Sequence, residues 1–430
     1  MKKLLYGLQN NITYILLCSL LVTLLLNNLI NSFLLVVAFL CTLIGLKKKH
    51  FSINHSIILL IVLFLIMLLS STWSINPQET TKAIIKELPL IIISLVVLLN
   101  KKITEFERNK IIKYYSYSIV LFSIYFIVRA LIKYFSSDSN VFFSHELVTK
   151  ELNAVHYSIF VSFSLLYFIT QETNTIKTVL IQLFLILFLI LLQSKIVIIT
   201  TVFLTFLYFF FYSKSANKMR LRNIVLLGIV FFSFLFFNRI KEKIEFEFQL
   251  NSENNIGHTV IPKEMFGDRI ISMKEAWENK KFEQTDFFSG ASFRVYQFRM
   301  FLEIMKEENV FFQGLGLNAS YKKLEEKGLK YNIFHGNETT EGYQKKNFHN
   351  QYVQVFAELG FIGFVILALI LFVNLKNALK NKDFIHIAFA ILMISLFLTE
   401  SFLWRQRGVV FFTAFYCLFN TIYLSEKEKK

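Results

Sequence analysis

His349, Arg294, Lys195 and the pair Arg405 and Arg407 are the side chains of this 430-residue chain best suited to chemistry. His349, Lys195 and the Arg405–Arg407 pair lie in or beside long apolar runs, where an ionisable group costs a few kcal/mol to bury and tends to be kept for a function, and Arg294 lies in the hydrophilic stretch ahead of His349. His349 opens the block NFHNQYVQVFAELGFIG (347–363), where a hydrophilic segment gives way to an apolar one. Lys195 interrupts LLQSKIVIITT and should face an anion or an aqueous boundary. Arg294 has Arg299 five residues on, about 140° round a helix, so the two point in different directions; a solvated face is the plainer use of either. Arg405 and Arg407, in FLWRQRGV, suit a lipid-headgroup anchor with Trp404 as the interfacial aromatic. An imidazole titrates near neutrality and can take a proton from an attacking hydroxyl. Cationic side chains make charge-assisted hydrogen bonds to the oxygens of a pyrophosphate. Together these types fit attack by a hydroxyl on an anionic, membrane-held substrate.

Helical elements must carry these groups. On a helix through 347–363, His349, Val353, Phe356, Gly360 and Gly363 share one face, and the two glycines would let a neighbouring helix come close. Gln351, Gln354 and Glu358 form a separate polar face. The stretch 293–308 is predicted to be an amphipathic helix with Val295, Phe298, Phe301, Leu302 and Met305 on one stripe.

Composition sets the solvent. Hydrophobic residues make up 55% and charged residues only 18%, against roughly 45–50% and about 25% in soluble domains. The apolar blocks are long enough for helices that span a bilayer, which need about 20 residues. The expectation is an all-α integral membrane protein with about twelve spans, near 11–27, 29–46, 56–72, 83–99, 111–132, 154–170, 177–194, 196–212, 223–238, 350–374, 384–402 and 408–424. Only Asn27 and Asn28 separate the first pair, so a single tilted span there is the alternative. With the N-terminus cytoplasmic, the cytoplasmic segments hold 21 basic residues against 6 acidic ones, while 239–348 holds 17 of each. That is the positive-inside asymmetry, and it puts both termini in the cytoplasm and 239–348 on the outer side. It accounts for the net charge of +16 without nucleic-acid binding. The organisation is therefore nine spans in 1–238, an outer loop domain with helices in 239–348, and three spans in 349–430. Cys18, Cys41 and Cys417 sit in apolar blocks with no metal-ligand spacing and read as core residues.

The sequence resembles the O-antigen ligase / O-antigen polymerase superfamily of bacterial lipid-linked glycan transferases. FHNQYVQVFAELGFIG is similar to that family's H-N-x-[YF]-x-x-x-x-x-E-x-G-x-x-G signature. FRVYQFRMFLEIMKEENVFFQGLGLNAS resembles its arginine-bearing helix followed by a G-x-G turn, here Gly314 and Gly316. SSTWSINPQETTKAIIKEL at 70–88 resembles its S-x-x-W-S segment, and LTESFLWRQRG resembles a stretch near its end. Where the family has a Ser-Arg pair, this chain has Ser194-Lys195, a point charge in place of a bidentate fork.

The resemblance implies a GT-C-like membrane fold with one large periplasmic loop, and a metal-independent, inverting glycosyltransferase without cofactors. It would act at the periplasmic face of the bacterial inner membrane, in lipopolysaccharide biosynthesis, moving a glycan from undecaprenyl pyrophosphate to a lipid A core hydroxyl. His349 matches the family's base and Arg294 its pyrophosphate-binding arginine, with Lys195 as a second phosphate ligand. Arg299, Arg405, Arg407, Asn350 and Glu358 are expected on the substrate side of the site. Polymerisation of lipid-linked repeats and transfer to a protein hydroxyl share this site logic. A twelve-span transporter is the alternative of another class; only three prolines and no half-to-half similarity weigh against it.

Overall fold

The computed structural model describes residues 11–44, 53–100, 102–137, 141–149, 152–171, 175–212, 269–337 and 341–421. Within them the protein is almost wholly helical. The expected span 223–238 lies outside the described residues.

Two compact units divide the chain. One comprises the described parts of Met1–Leu68, Ile84–Tyr212 and Val365–Lys430; the other comprises those of Leu69–Ala83 and Ser213–Phe364.

The first unit is a helix bundle. Its helices are α1 (Ile12–Val22), α2 (Asn28–Ile44), α3 (His55–Leu69), the part of α4 (Pro77–Leu99) from Ile84 on, α5 (Glu105–Ser137), α6 (Ala154–Thr170), α7 (Ile176–Leu191) and α8 (Lys195–Leu207, continued by a π-turn over Tyr208–Tyr212), together with the helices of the chain from Val365 on. Short polar residues start them. Asn153 accepts from the Val155 and His156 N–H groups ahead of α6, and Thr175 accepts from Thr178 ahead of α7. Thr104 and Glu107 make reciprocal bonds at the head of α5. α1 and α2 are separate helices, because Asn27 turns the chain and its Oδ1 accepts from the Leu29 N–H at 3.0 Å. α6 is buried along nearly its whole length. Phe163 on α6 packs edge-on against Phe415 (4.7 Å) and Phe411 (6.3 Å) of the last helix. Helices in lipid gain nothing from hydrophobic burial against one another, so ring packing and buried bonds such as Ser162–Thr201 (2.6 Å) hold such a bundle.

Among the described residues, four helices are long and apolar enough to cross a membrane: His55–Thr72, Glu105–Ser136, Lys195–Tyr212 and Gln351–Asn381. Five shorter helices are also apolar. The chain is an all-α integral membrane protein.

The second unit holds α9 (Met273–Glu278), α10 (Gly290–Glu308) and α11 (Ser320–Tyr331), with a minimal parallel pair, β1 (Ile270–Ile271) and β2 (Phe287–Phe288). Ser272 and Glu275 form a capping box on α9; Ser289 caps α10; Asn309 and Asn332, both left-handed, end α10 and α11. The core is aromatic: Phe282, Phe288, Phe293, Tyr296, Tyr331 and Phe348. Then follow α12 (Gln351–Asn381), α13 (Phe384–Phe397) and α14 (Gln406–Asn420).

Two expectations need correction. α12 is not one straight helix: Gly360 has φ 66° and ψ −167° and breaks it. What approaches Gly360 is the loop at Phe312–Gln313 and not a helix, for a Cβ there would lie on the Phe312 carbonyl and 2.5 Å from the Gln313 nitrogen. The stripe on α10 also divides. Phe301 and Met305 are buried, whereas Phe298 and Leu302 are 44% and 43% exposed. Those two lie four residues apart on a line displaced from the buried one, and nothing in the described loop domain covers them.

Candidate active site

His349 does not ride on the helix that follows it. Asn350 is the cap of α12: its side-chain oxygen accepts from Tyr352 (3.0 Å) and Val353 (3.1 Å), and its carbonyl from Gln354 (2.9 Å). His349 stands one residue earlier with φ 47°, a conformation uncommon outside glycine and asparagine. Its N–H donates to Asn347 Oδ1 at 2.9 Å. Phe348, 2% exposed, anchors the segment in the aromatic core. The imidazole is half-buried and meets the Phe293 ring edge-on at 5.9 Å. A strained, over-determined backbone at a titratable residue is a common mark of a working site.

Arg294 is the next residue after Phe293 on α10. Gln297, on the same helix, donates to the Lys346 carbonyl at 3.5 Å, so α10 meets 346–349 through Phe293 and Gln297. Arg294 lies about 60° round the helix from Gln297, at the edge of that contact. It is half-buried, with one N–H on the Gly290 carbonyl at 2.9 Å. Arg294 and His349 thus both belong to the second unit, and the contact between their segments runs through Phe293 and Gln297.

Arg299 faces elsewhere, as its five-residue offset requires. It is buried and donates to Glu303 (2.9 Å) and to the Asn279 carbonyl (2.6 Å), with its guanidinium 4.9 Å from the Tyr331 ring centre. Glu303 also accepts from Lys327 (2.9 Å) and Tyr331 (2.8 Å). Burial alone would push the Glu303 carboxyl up, but the Lys327, Tyr331 and Arg299 donors outweigh it and hold it below the usual carboxylate value. The structure gives Arg299 to the packing of α9, α10 and α11.

Glu358 is 3% exposed and accepts from Ser320 Oγ (3.0 Å) and from Gln354 Nε2. The expected polar face therefore closes on the start of α11. Beside it, the turn Gly314–Gly316 closes the break in α12. Leu315 N–H donates to the Ala357 carbonyl (2.9 Å), Gly316 N–H to that of Glu358 (2.8 Å), and Phe361 N–H to that of Phe311 (2.8 Å). The segment from Ser70 to Thr80 braces the same turn. Ser70 Oγ accepts from Leu317 N–H (3.1 Å), Thr80 Oγ1 donates to the Leu317 carbonyl (2.6 Å), Ile75 N–H to that of Leu315 (3.0 Å) and Trp73 Nε1 to that of Gln313 (3.0 Å). A Cβ on Gly316 would sit 2.5 Å from Ser74.

Lys195, Arg405 and Arg407 belong to the first unit. Lys195 is the first residue of α8, behind Ser194 and a left-handed Gln193. Arg405 is exposed at the head of α14, and Arg407 donates to the Leu26 carbonyl at 3.1 Å. Trp404 carries the Lys86 ammonium 5.0 Å over its ring. Sequence reasoning missed a buried pair in this unit: His156 Nε2 lies 3.9 Å from Glu400 Oε2, with both side chains under 10% exposed. Tyr208 OH on the Thr170 carbonyl (3.5 Å) and Thr201 on Ser162 show that α6 and α8 run parallel. Six residues back along both helices, His156 and Lys195 share a level. The signal available was an ionisable residue inside each apolar run.

Residues 180–368 match the family model described as O-antigen ligase. The chain carries an O-antigen ligase domain. Lys195, Arg294, His349, Glu358 and Gly360 fall inside the matched stretch, and Arg405 and Arg407 beyond it. That match supports, in general terms, a glycosyltransferase-like membrane enzyme of the O-antigen ligase and polymerase type. No curated protein matches the chain at a significant level.

Proposed function

We propose that the chain is an inverting, metal-independent transferase of GT-C type that moves a glycan from undecaprenyl pyrophosphate to a hydroxyl of a lipid A core, at the periplasmic face of the inner membrane. One observation carries this reading: His349 is held off its helix in a left-handed conformation, with its ring against Phe293 and Arg294 next along. The His349 imidazole takes the proton of the acceptor hydroxyl. The acceptor oxygen bonds to the anomeric carbon as the bond from that carbon to the pyrophosphate oxygen breaks, and undecaprenyl pyrophosphate departs. Arg294 and Lys195 hold the negative charge that grows on the leaving oxygens, a kind of stabilisation that usually supplies the largest catalytic contribution. The donor's own phosphoester supplies the energy, so no nucleotide is required. Termini in the cytoplasm and residues 239–348 outside complete the reading.

The test is reconstitution. The purified chain is given a lipid-linked oligosaccharide, once with lipid A core and once without. Glycan on the core is the expected product. Longer lipid-linked chains without core would mark a polymerase, and no transfer with either would end the proposal.

A further inference from the structure

Phe298 and Leu302, the exposed pair on α10, lie on a line of residues spaced by four: Arg294, Phe298, Leu302, Lys306. Two large apolar side chains are thus flanked by two cations, the order in which an interfacial helix meets a membrane, with the long cations reaching for headgroups. The apolar surface does not stop at the helix. Phe298 packs on Phe301 (6.0 Å), Phe301 on Phe356 (5.4 Å), Phe356 on Phe311 (5.2 Å), and Phe311 stacks on Phe361 (5.6 Å). Phe311, Phe312 and Phe361 are 48%, 65% and 39% exposed. Phe301 is buried, so exposed rings stand on either side of it, joined through packed aromatics; single exposed apolar residues are ordinary, but a cluster of them on one packed set of rings marks an interaction surface.

We propose that this aromatic face, from Phe298 to Phe361, seats the loop domain in the headgroup–acyl layer of the bilayer, with lipid chains as its occupant. The argument for lipid is continuity. Phe361 and Ile362 begin the apolar stretch of Gln351–Asn381, a helix apolar enough to cross a membrane, and both are exposed. What surrounds that helix surrounds them, and Phe311 and Phe312 pack against Phe361. The backbone agrees. Irregular chain at membrane depth is tolerated only where its polar groups are met by protein. The break at Gly360 meets this condition through the three bonds from Leu315, Gly316 and Phe361. α11 shows the contrast, turning Lys322, Glu325, Glu326 and Lys330 outward.

The experiment uses the full chain in lipid nanodiscs. p-Benzoylphenylalanine is placed at position 298, 312 or 325, and adducts are weighed after irradiation. Lipid adducts at 298 and 312, at least tenfold above 325, are expected. Equal yields at the three positions, or crosslinks from 298 and 312 to a second copy, overturn the proposal. A second measurement needs no substitution: hydroxyl-radical oxidation of the unaltered protein in nanodiscs. Leu329 on α11, 55% exposed, should oxidise, and Leu302, at 43%, should be protected. Leu302 oxidising as fast as Leu329 overturns the proposal equally.

Discussion

Replacing Gly360 by alanine tests the hinge on which the loop domain's geometry depends. With φ 66° and ψ −167°, Gly360 occupies a region that only glycine adopts readily, and a side chain there costs about 1–3 kcal/mol in backbone strain. The new methyl would also land on the Phe312 carbonyl, so the loop must retreat. Retreat strains the bonds Phe361–Phe311 (2.8 Å), Leu315–Ala357 (2.9 Å) and Gly316–Glu358 (2.8 Å). At a net ~0.5–1.5 kcal/mol each, losing two adds about 1–3 kcal/mol. The sum, about 2–6 kcal/mol, is a large share of the ~5–15 kcal/mol that holds a whole domain. Thermal unfolding in nanodiscs should show a Tm lower by about 4–24 °C, at ~2–4 °C per kcal/mol for a unit of this size. Gly360→Asn sharpens the test. Asparagine tolerates the left-handed helical region, but ψ near 180° lies outside it, so Asn should fail as badly as Ala. A Tm within a degree or two of the parent for Gly360→Ala, or a rescue by Gly360→Asn, would refute the reasoning.

His349→Asn keeps a residue that accepts positive φ but removes the base. The expectation is normal insertion and Tm with transfer slowed by about 10²–10⁴-fold, the usual worth of a general base; undiminished transfer removes His349 from that role. Lys195→Arg is expected to keep transfer and Lys195→Ala to lose most of it, measured as kcat/KM for the lipid-linked donor; parity of Lys195→Ala with the parent discards the pyrophosphate role. The lowered Glu303 carboxyl contributes stability above the ordinary carboxylate pKa of about 4.3, and that contribution is lost as pH falls through the lower folded value. Tm of the parent should therefore drop between pH 5 and pH 3 more steeply than that of Glu303→Gln, and parallel profiles would assign the acid sensitivity elsewhere.

Hydropathy made the helices legible because lipid imposes a length on each apolar run: α1–α8 and α12–α14 overlap the expected apolar runs, and among the described residues four helices are long and apolar enough to cross a membrane. The turn between α1 and α2 was legible in Asn27 and Asn28, whose side chains suit a cap. Whether α10 would bury Phe298 was not legible, because helical spacing defines a line of residues without saying what stands opposite it. For the candidate site residues, posture was not legible. His349 and Glu358 read as faces of one helix, but Asn350 takes the cap and leaves His349 outside. Glu358 reads as a substrate ligand by motif, while its partners are Ser320, 38 residues upstream, and Gln354. The His156–Glu400 pair links residues far apart in sequence, and although each apolar run shows its own ionisable residue, neither says which partner it meets.

The motif pieces themselves have a common physical explanation. Ser70–Ser74, Gly314–Gly316 and Ala357–Gly360 are separated by tens to hundreds of residues, yet they exchange backbone and side-chain hydrogen bonds around a single turn. Each piece supplies what the others lack. The break at Gly360 leaves the Ala357 and Glu358 carbonyls without helical partners, the G-x-G turn offers two N–H groups, and Ser70 and Thr80 satisfy Leu317 on both its polar groups. Two glycines are required because the chains come within one Cβ of each other, at Gly314 against the Glu358 backbone (2.5 Å) and at Gly316 against Ser74. None of these residues needs to touch a substrate for its loss to disable the enzyme. They hold the start of α12, and with it His349, against α10.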